Sequence, residues 1–101
     1  MKLRHAAALA LVGWYLMMPP PTKAPKYGWS VSLSEPLIRW HHVGSYDTAA
    51  ECENARDSLH TQGLDRIRRY AKNPFADEAA IGQEDASAEC IATDDPRLKE
   101  K

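Results

Sequence analysis

The chain has no C-x-x-C, H-x-x-x-H or C-x-x-C-H spacing among its two cysteines and four histidines. Metal centres and haem attachment built on closely spaced ligands are therefore absent from it. Acidic residues stand in pairs at Asp77-Glu78, Glu84-Asp85 and Asp94-Asp95 without the ligand order of a calcium loop, and no serine sits in a strand-to-helix elbow. There is no internal repeat. Beyond residue 24, ten Lys and Arg face fourteen Asp and Glu, and this mild acidity argues against a general nucleic-acid partner. Long apolar runs are scarce too: there is one.

That run is Ala6 to Met18, thirteen uncharged residues preceded by Lys2 and Arg4. A charged start before 7 to 15 apolar residues is the layout of a secretory signal, and the sequence is read as that of an exported protein. Placement is then periplasmic, on the outer face of the membrane, or secreted. Two forms of the segment stand side by side. As a cleaved signal it has no small residues before a cut near Met18; the nearest candidate, Thr22-Lys23-Ala24, is followed by Pro25, a poor fit to an extended protease substrate. As an uncleaved anchor its thirteen residues reach only about 20 Å across a hydrocarbon core of roughly 30 Å. In that form the membrane would be a partner through residues 6–18, with Trp14 and Tyr15 near the outer interface. A third reading is a buried helix of a soluble domain.

The organisation expected is a signal peptide or anchor helix over 1–18, a Pro-rich spacer over 19–27, a small domain over 28–96 and a flexible tail over 97–101. Pro19, Pro20, Pro21 and Pro25 stiffen the spacer, and Lys23 and Lys26 keep it solvated. The fold class expected is α+β: a strand-helix-strand unit, with an additional helix, behind an N-terminal hydrophobic helix. Trp29, Val31 and Leu33 alternate with serines as in a half-buried strand, and Ile38, Trp40 and His42 alternate with Arg39 and His41 in a second. Thr48 and Glu51 have the spacing of a capping box, and Ala49, Cys52, Ala55 and Leu59 form one narrow stripe of a helix. Gly63 is expected to end that helix as a C′ residue, with a second helix over 64–72. Residues 75–87 read as a weak helix or a loop. Glu89 to Thr93 suits a short strand beside the one carrying Trp40.

So small a domain needs a staple. In an oxidising compartment Cys52 and Cys90 are expected to pair, and closing a loop of about 38 residues stabilises by roughly 4 kcal/mol in the chain-entropy model. Two free thiols remain the alternative for an intracellular protein.

Candidate chemistry is thin. His41 and His42 are adjacent, and strand neighbours point to opposite faces, so they do not chelate one ion without a local turn. A small periplasmic hydrolase or metal-dependent enzyme would use one of them with an acidic pair. Arg66, Arg68, Arg69 and Lys72 form a basic patch suited to an anionic surface, or simply a solvated helix face balanced by Asp57 and Asp65. No catalytic residue, metal ligand or cofactor is assigned. A non-catalytic binding or scaffolding module, with an envelope protein as partner, is the leading expectation.

The run Trp40 … Tyr46-Asp47-Thr48-Ala49-Ala50-Glu51-Cys52, with the later Cys90-Ile91-Ala92-Thr93-Asp94-Asp95-Pro96-Arg97-Leu98, resembles a group of short bacterial proteins of unknown function. They share an N-terminal hydrophobic segment ending near prolines, as in Gly13-Trp14-Tyr15-Leu16-Met17-Met18-Pro19-Pro20 here. The likeness covers the two ends of the chain and leaves residues 53–89 unmatched. It implies export and cysteine pairing, and no activity.

Overall fold

A computed structural model describes residues 12–99. Its elements in chain order are β1 (Trp14–Met18), β2 (Pro21–Ala24), β3 (Gly28–Val31), a 3-10 turn (Leu37–Arg39), β4 (His41–Tyr46), α1 (Ala49–Arg69), α2 (Asp77–Ala86), β5 (Glu89–Ala92) and a second 3-10 turn (Pro96–Lys99). One antiparallel sheet has the order β4-β1-β5, and β2 and β3 form a separate hairpin. The architecture is α+β, as expected.

The largest departure from expectation lies in the apolar run. Trp14 to Met18 do not complete a hydrophobic helix; they are the central strand of the sheet. Successive strand residues face opposite sides, so an unbroken apolar pentapeptide needs cover on both. Leu16 packs with Cys52 and Ala88 on the α1 side, flanked by Trp14, Met18, Ala55 and Leu59. Met17 packs on the other side with Leu37, Trp40 and Ile91, flanked by Tyr15 and Leu98. A strand built into the sheet in this way is withdrawn from any bilayer, so the 6–18 span is corrected at its second half; Ala6 to Leu11 lie outside the described residues. No helix among the described residues is long and apolar enough to cross a membrane.

The Pro-rich stretch is likewise built in. Pro19 is fully buried, the Pro20 carbonyl accepts from the Ser32 N–H at 2.9 Å, and β2 pairs with β3. The second strand starts later than expected: Pro36 opens a 3-10 turn that buries Leu37 and Trp40, and β4 begins at His41. Its register against β1 slips between Leu16 and Met17, which leaves Val43 as the extra residue of a bulge. β5 pairs with β1, which separates it from β4. The chain end is no frayed tail through Lys99, since the last 3-10 turn places Leu98 on the core.

α1 begins at the expected cap, with the hydroxyl half of the capping box formed. Thr48 Oγ1 accepts from the Glu51 N–H at 3.1 Å and donates to its carboxylate at 3.0 Å. Gly63 does not end it. Its backbone stays helical, with no positive φ, and α1 continues through the expected second helix to Arg69. Gly63 instead extends the Cys52-Ala55-Leu59 stripe to the point where α2 crosses: a Cβ there would lie 2.7 Å from the Gly82 carbonyl. Two glycines thus let the helix backbones meet, and residues 77–86, ambiguous in the sequence, become helical against that surface.

The cysteine pairing is as expected. Cys52 and Cys90 are disulfide-bonded with Cα atoms 6.1 Å apart and close a loop across 38 residues, joining α1 to β5. Such a bond suits an oxidising compartment. Replacing both cysteines with alanine should destabilise the domain by about 4 kcal/mol, read as a lower denaturation midpoint than that of the oxidised protein. A chain begun at Pro25 should show no cooperative melting by circular dichroism, because it lacks the central strand; one begun at Val12 should keep it.

Candidate functional site

A groove of about 780 Å³ lies on the side of the sheet where β5 is the edge strand. It forms at the seam between the two covers of the sheet. From one cover come Leu37 and Trp40, from the other Arg56, Asp57 and His60 of α1, and between them Ala86 to Glu89 lead into β5. Leu37, Trp40 and Ala88, all buried, share the apolar lining with Pro36, Ala86 and Leu33, of which Leu33 is 65% exposed. The Trp40 indole is fixed by its Nε1–H, which donates to the Glu35 carbonyl at 2.9 Å.

Charged side chains line the rest. Arg56 pairs with Asp57 at 3.4 Å, and Arg97 with Asp95 at 2.8 Å. Hydrogen bonds from the Arg97 side chain hold the Asp95 carboxyl below its ordinary 3.8. His60 Nδ1–H donates to the Ala86 carbonyl at 2.9 Å and ties the end of α2 onto α1. That bond selects the tautomer, so the neutral ring keeps Nε2 as an acceptor. A lining that sets apolar side chains beside charges of both signs suits a ligand that carries apolar and polar groups together.

The histidines singled out in the sequence lie elsewhere. His42 on β4 uses Nε2 on the Gly44 carbonyl at 3.0 Å and on Ser45 Oγ at 3.2 Å, with its ring edge-on to Tyr15. His41 is near enough to Glu84 to act on its charge, and no hydrogen bond or ion pair joins them among the described residues. The cleft-bound His-carboxylate pair that a hydrolase reading requires is not what these residues form. No group of three His, Cys, Asp or Glu side chains is placed to hold a metal ion among the described residues.

The basic patch divides. Arg66 is half-buried against α2, close to Gly82 and near Asp85, and Arg69 is bonded to Asp65 at 3.0 Å. Arg68 and Lys72 are exposed. Of the three acidic pairs, Glu84-Asp85 is drawn inward at the end of α2. Burial raises both carboxyls, with His41 opposing the effect on Glu84 and Arg66 that on Asp85.

These features define a small disulfide-stapled α+β domain with a groove of mixed apolar and charged lining at a sheet edge. No protein-family model matches the chain, and no curated protein or solved structure is significantly similar to it.

Asp85 generates a pH prediction. Its folded pKa lies above the ordinary 3.8, so the folded state holds the proton more tightly and stability falls as pH rises from 3.8 through the folded value. The ionised form also sits at a helix C-terminus, where negative charge is unfavourable. Asp85→Asn should therefore melt higher than wild type at pH 7, with the gap closing below about pH 3.8 in thermal melts.

Proposed function

We propose that this is an exported bacterial envelope protein acting as a non-catalytic binding module, with the groove beside β5 as its contact surface. The observation that carries this reading is the exposed Leu33 in the lining of a groove that it shares with Leu37, Trp40 and Ala88. Concave surfaces that combine apolar side chains with a few polar groups are where ligands commonly bind.

Export is supported by the Cys52–Cys90 bridge and by the Lys2-Arg4 start before an apolar run. Since β1 begins at Trp14, the targeting segment of this reading ends before that residue. The catalytic alternative, a hydrolase or metal-dependent enzyme using His41 or His42, has no comparable support, because neither histidine lines the groove.

A photo-crosslinking side chain placed at position 33 in bacteria should give a discrete adduct in the envelope fraction, and one at the exposed position 53 should not. Leu33→Asp should abolish the association of the untagged domain while leaving its stability within about 0.5 kcal/mol, as for an exposed substitution. Equal adducts from both positions, or none from position 33, would refute the groove as the contact surface.

A further inference from the structure

Two segments distant in sequence form one end of the molecule, the β2-β3 turn and the α1-α2 connection. The Trp29 N–H donates to the Pro74 carbonyl at 2.9 Å, and Trp29 Nε1–H donates to the Phe75 carbonyl at 3.2 Å. Gly28, with φ +92°, lies flush on Pro74, where a Cβ would overlap the proline. The Lys23 ammonium sits 5.1 Å from the Trp29 ring centroid and 5.9 Å from that of Phe75. Tyr27, in the β2-β3 turn, is 80% exposed, and Phe75, in the α1-α2 connection, is exposed as well.

Charge is unevenly divided between this end and the rest. Residues 21–31 and 65–78 carry six Lys and Arg against three Asp and Glu, whereas the rest of the described residues carry four against ten. Of those three carboxylates, Asp65 is bonded to Arg69, and Asp77 and Glu78 occupy the first turn of α2, where its N–H groups favour negative charge. Lys26, Arg68 and Lys72 are exposed and make no ion pair among the described residues.

We propose that this end docks on an anionic lipid bilayer surface, with Lys23, Lys26, Arg68 and Lys72 facing headgroup phosphates and Tyr27 and Phe75 entering the interfacial layer. Basic residues near an anionic leaflet are attracted to it, and amphipathic aromatic side chains favour the headgroup level. A planar surface touches one end of the protein only and leaves the acidic remainder turned away. A long soluble polyanion that wraps the domain meets that acidic surface as well. The docking is independent of what the groove binds.

The test is co-sedimentation of the full oxidised chain with vesicles of phosphatidylglycerol and phosphatidylcholine, and with phosphatidylcholine alone. Lys26→Glu/Lys72→Glu and Tyr27→Ser are compared with wild type and with Glu53→Gln, whose site lies outside both segments. Because residues 1–11 are common to all, differences report this end alone. We expect binding to the anionic vesicles that is lost in about 0.5 M salt, weakened about tenfold or more by the double charge reversal, weakened by Tyr27→Ser and unchanged by Glu53→Gln, with equal melting temperatures. Equal binding to neutral vesicles, an affinity untouched by the double reversal, or tighter binding to heparin than to the vesicles would overturn the proposal.

Discussion

The domain is organised around a strand that has no polar face. In Trp14-Tyr15-Leu16-Met17-Met18 every side chain is apolar or aromatic, and strand geometry sends alternate residues to opposite sides of the sheet. One cover cannot satisfy such a strand. α1 covers the Leu16 side and the two 3-10 turns cover the Met17 side, while β4 and β5 take up its backbone hydrogen bonds. Full burial of a side chain such as Leu16 or Met17 contributes about 1.5–3 kcal/mol. That is a large share of the stability available to so small a domain. The disulfide then holds the α1 cover to β5, beside Leu16 in register.

Other features follow from the requirement for two covers. The groove lies where they fail to meet, along the edge strand β5, so its lining is shared by a turn, a helix and a strand entrance. α2 cannot reach the sheet core and packs on α1 instead, through Gly63 and Gly82. The hairpin leaves the end of β1 through the buried Pro19 and packs against α2 and the connection before it. It thereby brings Lys23 and Lys26 to the same end as Arg68 and Lys72, a grouping of cations that no single segment contains.

Local signals were legible wherever a local interaction decides the outcome. The start of α1 follows from Thr48 and Glu51, three residues apart, and the buried stripe from Cys52, Ala55 and Leu59. The alternation of Trp29 and Val31 with serine marks β3. The basic patch was visible as composition, but its geometry was not: Arg66 turns to α2, and the cations of the hairpin stand nearby. None of the groove could be assembled from the sequence, since residues 33–40, 56–60 and 86–97 share no pattern that announces their meeting.

By itself the sequence determined the class of the fold, the cap and buried stripe of α1, and the pairing of Cys52 with Cys90 once an oxidising compartment was assumed. These rest on contacts within a few residues or on there being only two thiols. Tertiary structure alone decided whether Trp14 to Met18 was a helix or a strand. Five consecutive apolar residues carry no period, so both conformations bury them equally well, and only partners on two faces and two edges select the strand. The same holds for Gly63. Glycine is able to end a helix or to admit a second one, and the approach of Gly82 settles which.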